Sequence, residues 1–124
     1  MLGKYSAHTT LPASNLQRAK KFYNEKLGLV PAKEDPSGIF YKSGNTEFLV
    51  FPSQGAATGS FTQIGFDVDN IEAEVAALKS RGVTFEEYNS SSLKTANGVA
   101  TIGTGKAAWF KDSEGNLLGL IQRA

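Results

Sequence analysis

The sequence predicts an α+β fold made of two tandem copies of one unit, strand–helix–strand–strand–strand, and three observations carry that prediction. A helix-start signature occurs twice, as Ser14-Asn15-Leu16-Gln17 and again 55 residues later as Asp69-Asn70-Ile71-Glu72. At this capping-box spacing the first side chain accepts an unpaired helix N–H and the fourth reaches back to the cap. An extended run precedes each signature, at 5–11 and 61–68. In the second run Ile64, Phe66 and Val68 alternate with Gln63, Gly65 and Asp67, the period of a half-buried strand. Three further extended runs follow each helix.

Taken in order, the first helix places Leu16, Ala19, Phe22, Tyr23 and Leu27 at helical spacing and stops at Gly28. The runs at 29–33, 38–43 and 46–51 come next, the last two joined by a turn at Gly44-Asn45. The second helix repeats the pattern with Ile71, Val75 and Leu78 and stops at Gly82. Its Glu72 and Glu74 lie early and its Lys79 and Arg81 late, which suits the helix dipole. Its three runs are 83–88, 106–111 and 116–122, the last two joined through Asp112-Ser-Glu-Gly-Asn116. Between the two turns the offset has grown from 55 to 71, so the second unit carries an insertion at 89–105 containing Leu93, Val99 and Ile102. At 124 residues the chain has the length of one domain. The whole of 1–124 is therefore read as one domain, with unit 1 at about 4–52 and unit 2 at about 60–123.

Composition removes several kinds of chemistry. With no cysteine there is no disulfide framework, thiolate metal site or cysteine nucleophile, and one histidine excludes any site needing two from one chain. The net charge of +1 gives no field favouring nucleic acid or an anionic membrane. No run approaches the ~18 apolar residues of a membrane span, and Met1-Leu2-Gly3-Lys4 opens no secretory leader. A cytoplasmic protein with no nucleic-acid and no membrane partner is expected. Gly103-Thr104-Gly105-Lys106 hints at a phosphate loop, but Ala100 and Ala107 break the Walker spacing and a strand pattern follows. The basic residues Arg18, Lys20, Lys21 and Lys26 read as a solvated helix face.

Two stretches give the pattern a family likeness. His8-Thr-Thr-Leu-Pro-Ala-Ser-Asn-Leu-Gln-Arg-Ala-Lys-Lys-Phe-Tyr23, followed by Leu27-Gly28-Leu29, and Ala107-Ala-Trp-Phe-Lys-Asp-Ser-Glu-Gly-Asn-Leu-Leu118 lie at the two ends of the chain. Together with the repeated βαβββ unit they resemble the vicinal oxygen chelate superfamily, the glyoxalase, bleomycin-resistance and extradiol dioxygenase group. That resemblance implies a cup-shaped mixed β-sheet with the helices outside, and a homodimer. Because such a fold hosts lyases, dioxygenases and pure binding proteins, it does not by itself name an activity.

In metal-using members of that superfamily four side chains converge in the cup, from the first and last strands of each unit. Carried over by position, these fall on His8, Gln63, Gly119 and either Phe48 or Leu49. Glu47 lies close, but a one-residue change of register is needed to bring it in. Catalytic zinc generally takes three protein ligands and an open position. One good donor and one weak one leave a divalent metal little to hold it, so no cofactor is expected, and a partner chain would share the same deficits.

The resemblance therefore points first to a protein binding a small planar or amphipathic molecule, with His8 and Gln63 as polar points and Tyr41, Phe51, Phe61 and Trp109 as aromatic walls. The alternative is a lyase or isomerase acting on a vicinal-oxygen substrate, with His8 or Glu47 as acid, base or ligand. A third reading lets Leu93, Val99 and Ile102 plug the cup. The plain reading of His8 is a strand histidine satisfied by Ser6 and Thr10.

Overall fold

Each polar-capped apolar stripe forms a ten-residue helix in the computed structural model, which describes residues 1–123. A short 3₁₀ turn, Leu2–Lys4, opens the chain. The first unit then runs β1 (Thr9–Ala13), α1 (Leu16–Glu25), β2 (Pro31–Asp35), β3 (Gly38–Ser43) and β4 (Thr46–Pro52). The second runs β5 (Thr62–Asp67), α2 (Ile71–Ser80), β6 (Thr95–Ala96), β7 (Val99–Ile102), β8 (Gly105–Lys111) and β9 (Leu117–Gln122).

The helix starts differ from the expected box by one residue. Asn15 and Asn70 are the caps, and their side chains accept from Arg18 N at 3.0 Å and Ala73 N at 3.1 Å. Asparagine is among the strongest cap residues. Ser14 and Asp69 therefore sit just outside, and Ser14 turns its hydroxyl to Glu114 instead. The free N–H of Ile71 is met from outside the helix, by Gln122 Oε1 at 2.8 Å.

Two sheets form, in the orders β1-β4-β3-β2 and β5-β9-β8-β7-β6. In each, the first strand pairs parallel with the last strand of its unit and the remaining ladders are antiparallel. This is the α+β duplication expected, but the two sheets are separate ladders and do not close into one.

The outer strand of the second unit is also reassigned. Residues 83–88 form no strand: they give one bridge, Phe85 to Phe110, a bond from Glu86 N to Trp109 O at 2.8 Å, and bonds between Tyr88 and Thr95 of β6. The insertion supplies the strand: β6 and β7 fold back through Asn97-Gly98, both at positive φ, and β7 pairs with β8 from Val99↔Ala108 to Ile102↔Gly105. An asparagine–glycine pair is the turn chemistry a two-residue hairpin needs. With 105–108 of β8 taken by β7, only Trp109, Phe110 and Lys111 remain for the 83–88 segment. Gly103-Thr104 is the β7–β8 turn and opens no helix.

The core lies between the helices and the inner faces of the sheets. Ala19, Tyr23, Ile71 and Val75 bury against Leu11, Ile39, Tyr41, Phe48, Val50, Ala108, Phe110 and Leu118. Tyr41 stacks between Tyr23 and Phe48, with ring centroids 5.3 and 5.4 Å away, and Phe66 meets Phe48 edge-on at 6.3 Å across the two units. Such aromatic pairs add ~0.5–1.5 kcal/mol each beyond area burial. Burial, and then the nearby Glu34 charge, push the Tyr41 phenol up to about 12.

A polar latch also ties the units. Glu114, in the β8–β9 turn, accepts from Arg18 Nε at 2.7 Å, Arg18 Nη2 at 3.0 Å and Asn15 N at 3.0 Å. Asn116 Nδ2 donates to Pro12 O at 3.0 Å and to Asp112 Oδ2 at 2.8 Å. The start of unit 1 and the last hairpin of unit 2 are thus held as one body.

Candidate functional site

Strand alternation decides which side chains reach the site. On β4, Phe48 and Val50 turn inward and are buried, so Glu47, Leu49 and Phe51 face outward. The parallel ladder pairs Thr9 with Phe48 and Thr10 with Leu49. Carried back one residue, it sets His8 beside Glu47. The β3–β4 turn at Gly44-Asn45 and the outer part of β5 complete a cavity of about 620 Å³ between the two units.

His8, Glu47, Gln63 and Asp67 all line this cavity, with Phe48, Ile64 and Phe66 as its apolar wall. A second hollow of about 700 Å³ adjoins it, sharing His8 and 44–47 and adding Phe40 and Lys42. The His8 and Phe40 rings stand 6.4 Å apart, and Lys33 Nζ lies 5.4 Å from the Phe40 centroid. Its ~300–1,000 Å³ scale and mixed lining are those of a small-molecule site.

The other expected wall residues are distributed differently. Tyr41 is fully buried between the rings of Tyr23 and Phe48 and, unlike Phe48, does not reach the His8 cavity. It is a core residue and does not line the cup. Phe51 is half-buried on the open face of the first sheet, outside the His8 cavity, and Phe61 is 66% exposed just ahead of β5.

Trp109 belongs to a third hollow, of about 480 Å³, on the face of the second sheet. There its indole Nε1 donates to Thr62 Oγ1 at 2.9 Å, and Tyr88 meets the ring edge-on at 5.5 Å. The plug is likewise not formed as expected: Val99 packs into the helix-side core, while Ile102 is 54% exposed.

The family ligand positions are now explicit. Gly119 lies opposite Trp109, and a Cβ there would meet Thr62 Cγ2 at 3.2 Å and the indole at 3.4 Å. Phe48 is core, Leu49 is apolar, and His8 and Gln63 remain. Among the described residues no group of three or more His, Cys, Asp or Glu side chains is arranged to hold a metal ion. Sequence reasoning overlooked Phe66, Asp67 and Asn45 as cavity residues. The Gly44-Asn45 pair had signalled a turn but not what the turn would face.

The chain belongs to the Glyoxalase/Bleomycin resistance protein/Dioxygenase superfamily, whose family model matches residues 6–120. It is similar to the protein YurT of Bacillus subtilis, with 28% identity covering 93% of this chain and 96% of that one. Among solved structures it resembles a glyoxalase family protein from Enterococcus faecalis, at 28% identity and a TM-score of 0.71, covering 98% and 99% of the two chains. It also shares the fold of TnmS3, an antibiotic binding protein from Streptomyces sp. CB03234, at 24% identity and a TM-score of 0.67, covering 97% and 98%. No helix among the described residues is long and apolar enough to cross a membrane.

Proposed function

We propose that this protein binds a small planar or amphipathic molecule in the cavity between its two units, without a metal. The observation that carries this reading is the convergence of His8, Glu47 and Gln63 on one 620 Å³ space walled by Phe48 and Phe66. Binding needs only complementarity, a mainly apolar wall with a few placed polar groups. The antibiotic-binding activity named for TnmS3 lends the reading support.

A divalent metal does not fit the residues at the family positions. One imidazole and one amide oxygen remain there, and the fourth position, Gly119, has no donor and is covered by an indole. Thermal-shift screening against aromatic antibiotics and metabolites tests the proposal. Stabilisation that is lost in His8→Ala and Gln63→Ala is the expected result, and no stabilisation across a broad panel overturns it. The family resemblance further suggests a homodimer, which sedimentation tests.

One observation favours a second reading. His8 and Glu47 line the same cavity from paired neighbouring segments, and a single well-placed acid or base supplies ~10²–10⁴-fold. Isomerase or lyase turnover of a methylglyoxal–glutathione hemithioacetal, lost in His8→Ala, would support that reading. Absence of turnover, with or without added nickel or zinc, counts against it.

A further inference from the structure

The chain holds one Asn-Gly pair, Asn97-Gly98, and it forms the turn of the β6–β7 hairpin. Both residues lie at positive φ, 54° and 84°, as a two-residue hairpin turn of this hand requires. The same pair is chemically vulnerable. A glycine has no side chain to shield its nitrogen, so Gly98 N, once it loses its proton, can attack Cγ of Asn97. The N–Cγ bond forms, and the side-chain nitrogen leaves as ammonia with that proton. Water then opens the cyclic imide at either carbonyl. The product is aspartate or, with the main chain rerouted through Cγ, isoaspartate.

Attack needs the Gly98 nitrogen unbonded and the peptide plane between the two residues free to turn. Here both are opposed. Gly98 is buried although Asn97 is exposed, and Gly98 N donates to Glu87 Oε1 at 2.8 Å. At the other end of the same peptide plane, Asn97 O accepts from Lys79 Nζ at 3.2 Å. One peptide group is thus clamped at both ends, from the 83–88 segment and from α2. Glu87 is itself fixed, because the same Oε1 accepts from Thr95 Oγ1 at 2.6 Å, and Thr95 Oγ1 in turn accepts from Tyr88 N at 2.8 Å. The bonds from Thr95 and then Gly98 hold the Glu87 carboxyl below its ordinary range, so it stays an ionised acceptor. A negative charge at that place also disfavours the nitrogen anion that attacks. A bulkier residue cannot supply the shielding instead: at φ +84° a Cβ on Gly98 would stand 2.9 Å from Phe85 Cβ.

We propose that Asn97 is a latent deamidation site, and that Glu87 keeps it closed by holding the attacking nitrogen of Gly98. The outer edge of the second sheet depends on this. Isoaspartate puts an extra main-chain carbon into a two-residue turn, which breaks the Ala96↔Val99 pairing on which β6 rests. The guard is independent of whatever the His8 cavity binds.

The test incubates the full chain at neutral pH and follows conversion at Asn97 by peptide mass spectrometry, with a synthetic peptide of 94–100 as the unguarded reference. The natural chain is expected to convert at least about tenfold more slowly than the peptide, and Glu87→Ala to recover most of that gap, the equivalent of one hydrogen bond to a charged group. Glu87→Gln keeps an oxygen that accepts more weakly, and is expected to convert faster than the natural chain and more slowly than Glu87→Ala. Amide hydrogen exchange separates guarding from a merely loosened hairpin. In both variants exchange is expected to rise at Gly98 while the β7–β8 ladder keeps its protection. A natural chain that converts as fast as the peptide, an unchanged rate in either variant, or equal loss of protection along β7 overturns the proposal.

Discussion

Tyr23, on the inner face of α1, donates its hydroxyl to Asp112 Oδ2 in the β8–β9 turn at 2.6 Å, a fully buried bond between the two repeat units. The other oxygen of Asp112 accepts the N–H groups of Glu114 and Asn116 at 2.8 and 2.9 Å, so one carboxylate both shapes its own turn and fastens it to the opposite helix. Burial, and then the Asp112 charge, hold the Tyr23 phenol well above its ordinary range, so it stays a donor.

Tyr23→Phe keeps the ring packing and removes one hydrogen bond to a charged group. A loss of about 1.5–3 kcal/mol is expected, read as a lower urea midpoint with unchanged m. Asp112→Ala removes the acceptor of four buried donors, the Tyr23 hydroxyl, the Glu114 and Asn116 N–H groups and the Asn116 amide, and is expected to cost more than Tyr23→Phe.

The Glu114 carboxyl has a defined effect on acid stability. The Arg18 guanidinium and the Asn15 N–H hold it down to about 2, against an ordinary value of 4.5. A folded pKa below the unfolded one means its stabilisation is complete above pH 4.5 and drains away as pH falls toward 2. Arg18 is half exposed, so solvent screening holds the Glu114 contribution to on the order of 2 kcal/mol. Melting temperature against pH should therefore fall more steeply below pH 4.5 in the natural protein than in Glu114→Gln, which starts lower but flatter. Parallel curves would contradict this.

Gly38 allows no side chain. It sits at φ +136°, and a Cβ there would lie 2.2 Å from the Val50 carbonyl oxygen. Gly38→Ala must move β3 away from β4 and is expected to destabilise by more than ~2 kcal/mol, measured by denaturant unfolding.

Trp109 is the chain's one tryptophan, so its fluorescence reports on the second sheet alone. Gly119→Glu is expected to push the indole off Thr62 and shift its emission to the red, without creating zinc affinity detectable by calorimetry. Trp109→Phe should leave binding in the His8 cavity unchanged, because the two spaces share no lining residue.

Much of the fold was legible because it is written locally. Two helix starts 55 residues apart, two glycine stops and two turn pairs each follow from a few adjacent residues. The caps moved by one residue because Asn15 and Ser14 are both good caps, and only the competing partner Glu114 decides between them. The outer strand of the second unit was misread for a related reason. Residues 83–88 and 99–102 both have strand character, and a single edge of β8 was available to both.

By itself the sequence determined the duplication, the helices, the absence of thiol chemistry and the single imidazole at a family position. Tertiary structure alone decided which apolar strand face became core. A period of two says that Tyr41 and Phe40, or Phe48 and Leu49, point opposite ways, but not which of each pair meets a helix. That choice rests on register between strands distant in sequence. It buried Tyr41, gave Trp109 a hollow of its own, and brought His8, Glu47 and Gln63 from three separate strand ends to one cavity.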